Sequence, residues 1–304
     1  MTTATTRTTF GGLWLPLITP FRDGGLDEES LRRLLRHYVA LPVDGFVLAG
    51  TTGEAMTLDE DETRRLVEIA AGTLDGARPI VLGLSGSDTR AMCRTLDHVA
   101  AWPVDGYLIA TPYYTRPSQE GMRLHFEALA AHGPRPILVY NIPYRTGVNL
   151  ANDTLLRLAE LPTIAGVKDC CADAGQSFDL IRDRPEGFAV LTGEDAFFHG
   201  ALAQGADGGI LAAAHVETAR YAAVAAAMAA GDLAAALAIW RDTIGLARLL
   251  FAEPSPAAIK HWLWLDGLIA SPEVRLPMTP ASPALAARLA AERARRRHAT
   301  EDGA

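Results

Sequence analysis

The chain has almost no lysine. Of its 304 residues only Lys168 and Lys260 are lysine, against 26 arginines. A chain that draws its positive charge from arginine leaves each lysine to be explained by what arginine cannot do. A guanidinium keeps its proton in proteins, whereas a desolvated amine falls towards neutrality and becomes a nucleophile. Cysteine is scarce as well. Cys93, Cys170 and Cys171 form no CxxC pair, which argues against a disulfide framework. The 8 histidines show no HxH or HExxH spacing, so neither a metal nor a cofactor is expected. No apolar run reaches the ~18–20 residues of a membrane span. Excess positive charge is missing too: the net charge is −8 and the pI about 5.5, which disfavours nucleic-acid and anionic-membrane partners. The cluster Arg293, Arg295, Arg296 and Arg297 is local and falls near the end of a predicted last helix, where cations oppose the negative helix terminus. Met1 to Thr9 is polar and threonine-rich, unlike a signal or transit peptide. A cytoplasmic protein is expected.

What the chain does contain is one pattern repeated: a short apolar run, a turn, and a longer segment of helical period. The runs are Leu13 to Thr19, Asp44 to Ala49, Pro79 to Leu84, Pro103 to Ala110, Pro136 to Asn141, Ile164 to Asp169, Phe188 to Gly193 and Gly208 to Ala212. Asp27-Glu28-Glu29-Ser30 and Ser85-Gly86-Ser87-Asp88 open two of the helices. Pro42-Val43-Asp44-Gly45-Phe46-Val47-Leu48-Ala49 recurs as Pro103-Val104-Asp105-Gly106-Tyr107-Leu108-Ile109-Ala110, and Ala206-Asp207-Gly208 introduces the last run. Strands that are apolar throughout suit a parallel sheet covered on both sides. Eight strand–helix units predict a single (β/α)8 TIM barrel of the α/β class over residues 1–230. A doubly wound sheet is second, and no GxGxxG follows the first strand. Residues 231–304 read as helices packed on the barrel, from alanine-rich Ala222 to Trp240, Pro254 to Leu268 and Pro283 to Arg297. Lys260 lies on the second of these and is read as structural or solvated.

In such barrels the site forms at the C-terminal ends of the strands. Strand two ends in Gly50-Thr51-Thr52-Gly53, a turn whose hydroxyls and N–H groups suit a carboxylate. Strand four ends in Thr111-Pro112-Tyr113-Tyr114, strand five in Tyr140-Asn141-Ile142-Pro143, and strand six in Lys168. A lone lysine beside a tyrosine and a carboxylate-binding turn describes Schiff-base chemistry on a 2-oxo acid.

These motifs, with Tyr144-Arg145-Thr146-Gly147, Gly166-Val167-Lys168 and Arg275-Leu276-Pro277-Met278, resemble the dihydrodipicolinate synthase and N-acetylneuraminate lyase family of class I aldolases, from about Gly12 to Thr279. The resemblance implies that Lys168 attacks the keto carbon of pyruvate and that Tyr140 is its general acid/base. It implies a proton relay of Tyr140 with Thr51 and Tyr114, the last from a neighbouring subunit of a homotetramer built as a dimer of dimers. Thr51 and Thr52 would hold the pyruvate carboxylate, Arg145 would bind the carboxylate of aspartate semialdehyde, and Gly193 and Ile210 would line the pocket. Two threonines, Tyr113-Tyr114 and Arg145 favour the synthase branch, with pyruvate and an aldehyde as partners. A pyruvate-dependent aldolase for a sugar acid or other aldehyde is the alternative, and a non-catalytic sensing paralogue a further one. Two departures stand out: Tyr144 replaces an expected small residue and would reshape the second-substrate pocket, and Asp169-Cys170-Cys171 follows the lysine in place of the usual sequence. Glu60, Thr63, Ser87 and Ala91 stand where lysine-inhibited members carry other residues, so no lysine feedback is expected.

Overall fold

The computed structural model describes residues 10–301. Eight parallel strands close a barrel: β1 Gly12–Pro16, β2 Gly45–Leu48, β3 Ile80–Leu84, β4 Gly106–Ala110, β5 Ile137–Asn141, β6 Ile164–Asp169, β7 Ala189–Thr192 and β8 Gly208–Ile210. β1 pairs with both β2 and β8. The predicted fold is the observed one, with every strand but β6 somewhat shorter than its apolar run. A helix follows each strand: α1 Glu28–Val39, α2 Glu60–Leu74, α3 Thr89–Val99, α4 Gln119–His132, α5 Asn152–Ala159, α6 Ala174–Asp183, α7 Phe198–Ala203 and α8 Ala214–Ala229. The expected start signals act as caps: Asp27 accepts from the Ser30 N–H at 3.1 Å, and Asp88 from that of Arg90 at 3.0 Å.

The repeated aspartate–glycine step has a physical cause. Asp44, Asp105 and Asp207 each stand just before an even-numbered strand, and each carboxylate accepts the backbone N–H of a residue on the preceding strand or at its start. The bonds run from Leu13 at 2.7 Å, Ile80 at 2.8 Å and Val190 at 2.7 Å. Each aspartate N–H returns a bond to the same residue's carbonyl. The motif therefore staples neighbouring strands at the barrel floor, and satisfies N–H groups that the ladder leaves free. The glycine after Asp44 is required by contact, since a Cβ at Gly45 would overlap the Trp14 ring.

Strand alternation divides the core into two clusters. Trp14, Val47, Val81, Leu108, Leu138, Leu191 and Ile210 pack in one cluster with Tyr140 and Cys170. Their neighbours Leu13, Leu15, Phe46, Leu48, Leu82, Ile109 and Val139 join the helices in the other.

Beyond the barrel lie α9 Leu233–Leu250, α10 Ala257–Leu265 and α11 Pro283–Glu301. The stretch Ala222 to Trp240, read from sequence as one helical segment, is two helices. Gly231 takes φ +75° between α8 and α9, and Asp232 caps α9 by accepting from Ala235 N–H at 2.9 Å. Trp240 then docks α9 on the barrel helices, 5.9 Å from Tyr221 and 6.4 Å from Phe198 between ring centroids. Among the described residues no helix is long and apolar enough to cross a membrane.

Candidate active site

Parallel pairing of β5 with β6 sets Tyr140 directly beside Lys168. The amine does not point at the phenol oxygen. It lies over the ring face, 4.4 Å from the centroid. Lys168 is 6% exposed, and among the described residues no carboxylate comes within ion-pair distance of its Nζ. Burial therefore lowers its pKa, with Cys170, Asp195 and Glu194 opposing and the positive charge of Arg145 adding to the shift. Two of the opposing groups are weak counter-ions. Burial pushes the Cys170 thiol well above its usual range, and pushes the Asp195 carboxyl up to about 7 although it accepts the Ala213 N–H at 2.6 Å.

The fit around the lysine is tight. Gly193 follows β7 and donates its N–H to Asp169 O at 2.8 Å. A Cβ there would overlap both Lys168 Cε and Cys170 Sγ, so only glycine leaves the lysine its rotamer.

The Gly50–Gly53 turn is braced from below and behind. Thr19 Oγ1 donates to Gly53 O at 2.7 Å. Glu54, in the left-handed region at φ 55°, accepts the Arg275 N–H at 2.9 Å and forms an ion pair with Lys260. Thr51 is exposed at the mouth, and its side chain interacts with the Tyr140 phenol. That phenol is itself held well above its usual pKa, chiefly by burial, and so keeps its proton.

A cavity of about 30 Å³ gathers Thr51, Thr52, Tyr140, Arg145, Lys168, Gly193 and Ile210. It adjoins a second of about 320 Å³, which shares Thr51, Tyr140, Arg145 and Ser255 and is bounded by Tyr113 and Met278. The exception among the predicted residues is Tyr114. It is 91% exposed, at φ +70°, and lines neither cavity.

Sequence reasoning missed Asp195, which lines the same cavity as Lys168 and was signalled only by its place in Gly193-Glu194-Asp195 at the end of β7. It also missed the hydrogen bond from Tyr144 to Glu194 Oε1 at 3.0 Å. For Lys260 the solvated option is overturned. The residue is 0% exposed, with its amine 4.2 Å from the Phe21 ring centroid and donating to Glu273 O at 2.8 Å. A further cavity of about 350 Å³, lined by Asp169, His199 and Trp240, lies outside the barrel and holds none of the predicted site residues.

The chain is similar to known proteins along most of its length. The model of the dihydrodipicolinate synthetase family matches residues 9–292. The 4-hydroxy-tetrahydrodipicolinate synthase 2 of Clostridium acetobutylicum is 43% identical over 271 residues, covering 89% of this chain and 95% of that protein. The 4-hydroxy-tetrahydrodipicolinate synthase of Phenylobacterium zucineum is 39% identical, over 93% of this chain and 96% of its own. Among solved structures, the 4-hydroxy-tetrahydrodipicolinate synthase of Methylacidiphilum fumariolicum superposes with a TM-score of 0.91 at 33% identity, covering 95% of this chain and 96% of that one. By a family match along nearly its whole length and relatives well above 30% identity, the chain belongs to the dihydrodipicolinate synthetase family.

Proposed function

We propose that the protein condenses pyruvate with aspartate semialdehyde through a Schiff base on Lys168. The observation that carries this reading is a buried amine without an ion-pair partner, seated between a tyrosine, a hydroxyl-bearing turn and an arginine. The neutral amine adds to the keto carbon of pyruvate, and loss of water gives an iminium. Removal of a methyl proton then gives an enamine, whose carbon attacks the aldehyde carbon. The amine of the aspartate semialdehyde portion displaces Lys168 from the imine carbon, which closes the ring and frees the enzyme.

In this scheme Tyr140 moves the proton at the Schiff-base nitrogen and passes it through Thr51. Thr51 and Thr52 hold the pyruvate carboxylate, with Gly193 and Ile210 lining its pocket, and Arg145 grips the second carboxylate as a planar fork. Tyr114 is exposed and lines neither cavity of its own subunit. We place it in the site of a neighbouring copy, within a homotetramer of the cytoplasm, so dilution to monomers lowers specific activity.

Borohydride reduction in the presence of pyruvate tests the core of the reading. Peptide mass analysis should find the pyruvyl adduct on Lys168, and its absence would refute the Schiff base. Turnover of a panel of aldehydes with pyruvate then assigns the second substrate, and a preference for sugar-derived aldehydes would replace aspartate semialdehyde.

A further inference from the structure

The mouth of the barrel is open on one side of Lys168 and closed on the other. Tyr144 sits in the short helical turn Pro143–Thr146 after β5, and Glu194 in the loop after β7. β6 lies between those two strands in the barrel, so the bond from the Tyr144 hydroxyl to Glu194 Oε1 links the loops on either side of the strand that carries Lys168. Tyr144, Gly193 and Asp195 line the small cavity at Lys168 on this side. On the side of β2 to β5 the space is about 320 Å³, within the range that takes a small metabolite.

We propose that the Tyr144–Glu194 bond is a clasp that sets aldehyde specificity, admitting short aldehydes from the β2–β5 side and rejecting extended polyhydroxylated chains that would run past Lys168 towards β7. This rests on the Schiff-base reading of Lys168. Three features of the clasp suit the role. The Tyr144 hydroxyl donates to the Glu194 carboxylate, a charge-assisted bond. The Arg145 guanidinium lies 5.7 Å from the Tyr144 ring centroid, so the same ring that closes the mouth also steadies the group proposed to bind the second carboxylate. Glu194 places a carboxylate on the closed side, which turns a carboxylate-bearing aldehyde away from β7 and towards Arg145. An aldehyde that reached across would have to break a hydrogen bond to a carboxylate.

Tyr144 is 62% exposed, so substituting it leaves the core untouched. Tyr144→Phe keeps the ring beside Arg145 and removes only the donor, while Tyr144→Ala opens the mouth. The measurement is kcat/KM with pyruvate for aspartate semialdehyde against D-erythrose and D-mannose, with the borohydride adduct recorded for every variant. The expected result is a rise of about tenfold or more in the hydroxyaldehyde-to-semialdehyde ratio in Tyr144→Phe, the size of a lost hydrogen bond to a charged group. Tyr144→Ala should show a larger rise. An unchanged or lower ratio in both variants, with the adduct on Lys168 intact, overturns the clasp alone. Absence of the adduct from the unsubstituted protein overturns the Schiff-base reading and the clasp with it.

Discussion

The two lysines are both buried, and they are held in opposite ways. Lys260 has an ion pair with Glu54, a backbone carbonyl from Glu273 and the face of Phe21. Burial still lowers its pKa to about 8, but the Glu54 carboxylate opposes the shift and keeps the amine charged at neutral pH. Lys168 has an aromatic face and no ion pair. Of the groups that would favour its charge, burial drives the Cys170 thiol and the Asp195 carboxyl towards neutrality, and Glu194 makes no ion pair with it. Burial lowers the pKa of both amines, and only Lys260 has an ion-pair partner to hold its charge. One amine fastens the site and the other is the proposed nucleophile, for Lys260 holds through Glu54 the turn that carries Thr51 and Thr52.

The largest expected effect comes from removing the free amine. Lys168→Arg puts a permanent cation in the same place. It should lower kcat by on the order of 10⁴-fold or more, as loss of a covalent nucleophile does, and abolish the borohydride adduct while circular dichroism stays unchanged. An adduct that survives would remove Lys168 from the chemistry. Lys260→Met is the converse case. It strands the buried carboxylate of Glu54 and should destabilise the fold by about 3–5 kcal/mol in urea unfolding. The adduct on Lys168 persists in whatever protein is folded. Adding Glu54→Gln, which removes the stranded charge, should recover a substantial part of the loss. If the double variant is no more stable than Lys260→Met, the pair is not what Lys260 contributes.

How far the sequence foretold this contrast depends on how local each signal was. The barrel was legible because Asp44, Asp105 and Asp207 repeat a strand-stapling step that is written within a few residues. Lys168 was legible because lysine is rare in this chain and because the strand count put it at a strand end. The role of Lys260 was not, since its partner Glu54 is remote in sequence and meets it only in the folded chain. A local hint existed: Ala257, Ala258, Ile259, Trp262 and Leu263 are all buried, so α10 has few positions left for a solvated charge. Asp195 and the Tyr144–Glu194 bond were hidden for the same reason, because register between strands, not spacing along the chain, brings those groups together.

His215 extends the contrast to a buried base that stays neutral. Its Nε2 accepts the Ile18 N–H at 3.3 Å and its Nδ1 faces Ala212 O at 2.7 Å, so one tautomer satisfies both nitrogens. Burial depresses its pKa from 6.5 to about 4. The unfolded chain therefore binds this proton first as pH falls, and the associated stability is fully present above about 6.5 and lost between there and about 4, by ~3 kcal/mol. Asp195 acts with the opposite sign, because its raised pKa makes its contribution fade as pH rises towards 7. The net curve is shallow, and the His215 part emerges as the difference between the unsubstituted protein and His215→Gln in urea unfolding from pH 7 to pH 4. Parallel curves would mean that His215 is not the buried neutral base described.

The smallest effect is the sharpest test of what separates the two lysines. If Lys168 is reactive because it lacks a charged partner, supplying one should turn it towards the state of Lys260. Cys170 is the place to do so: it is buried, and its sulfur and the Lys168 Cε crowd the same point above Gly193. An aspartate there would form the ion pair that Glu54 forms with Lys260, and an opposite charge at that range raises an amine pKa by about one unit or more. Cys170→Asp should then shift the acid limb of the pH profile for borohydride trapping upward by about one unit and slow trapping at pH 7 about tenfold, since only the neutral amine attacks. Cys170→Ser, similar in size and uncharged, should leave the limb where it is. A limb that does not move in Cys170→Asp would mean that the ring of Tyr140 and the walls of the pocket, not the missing counter-ion, set the reactivity of Lys168.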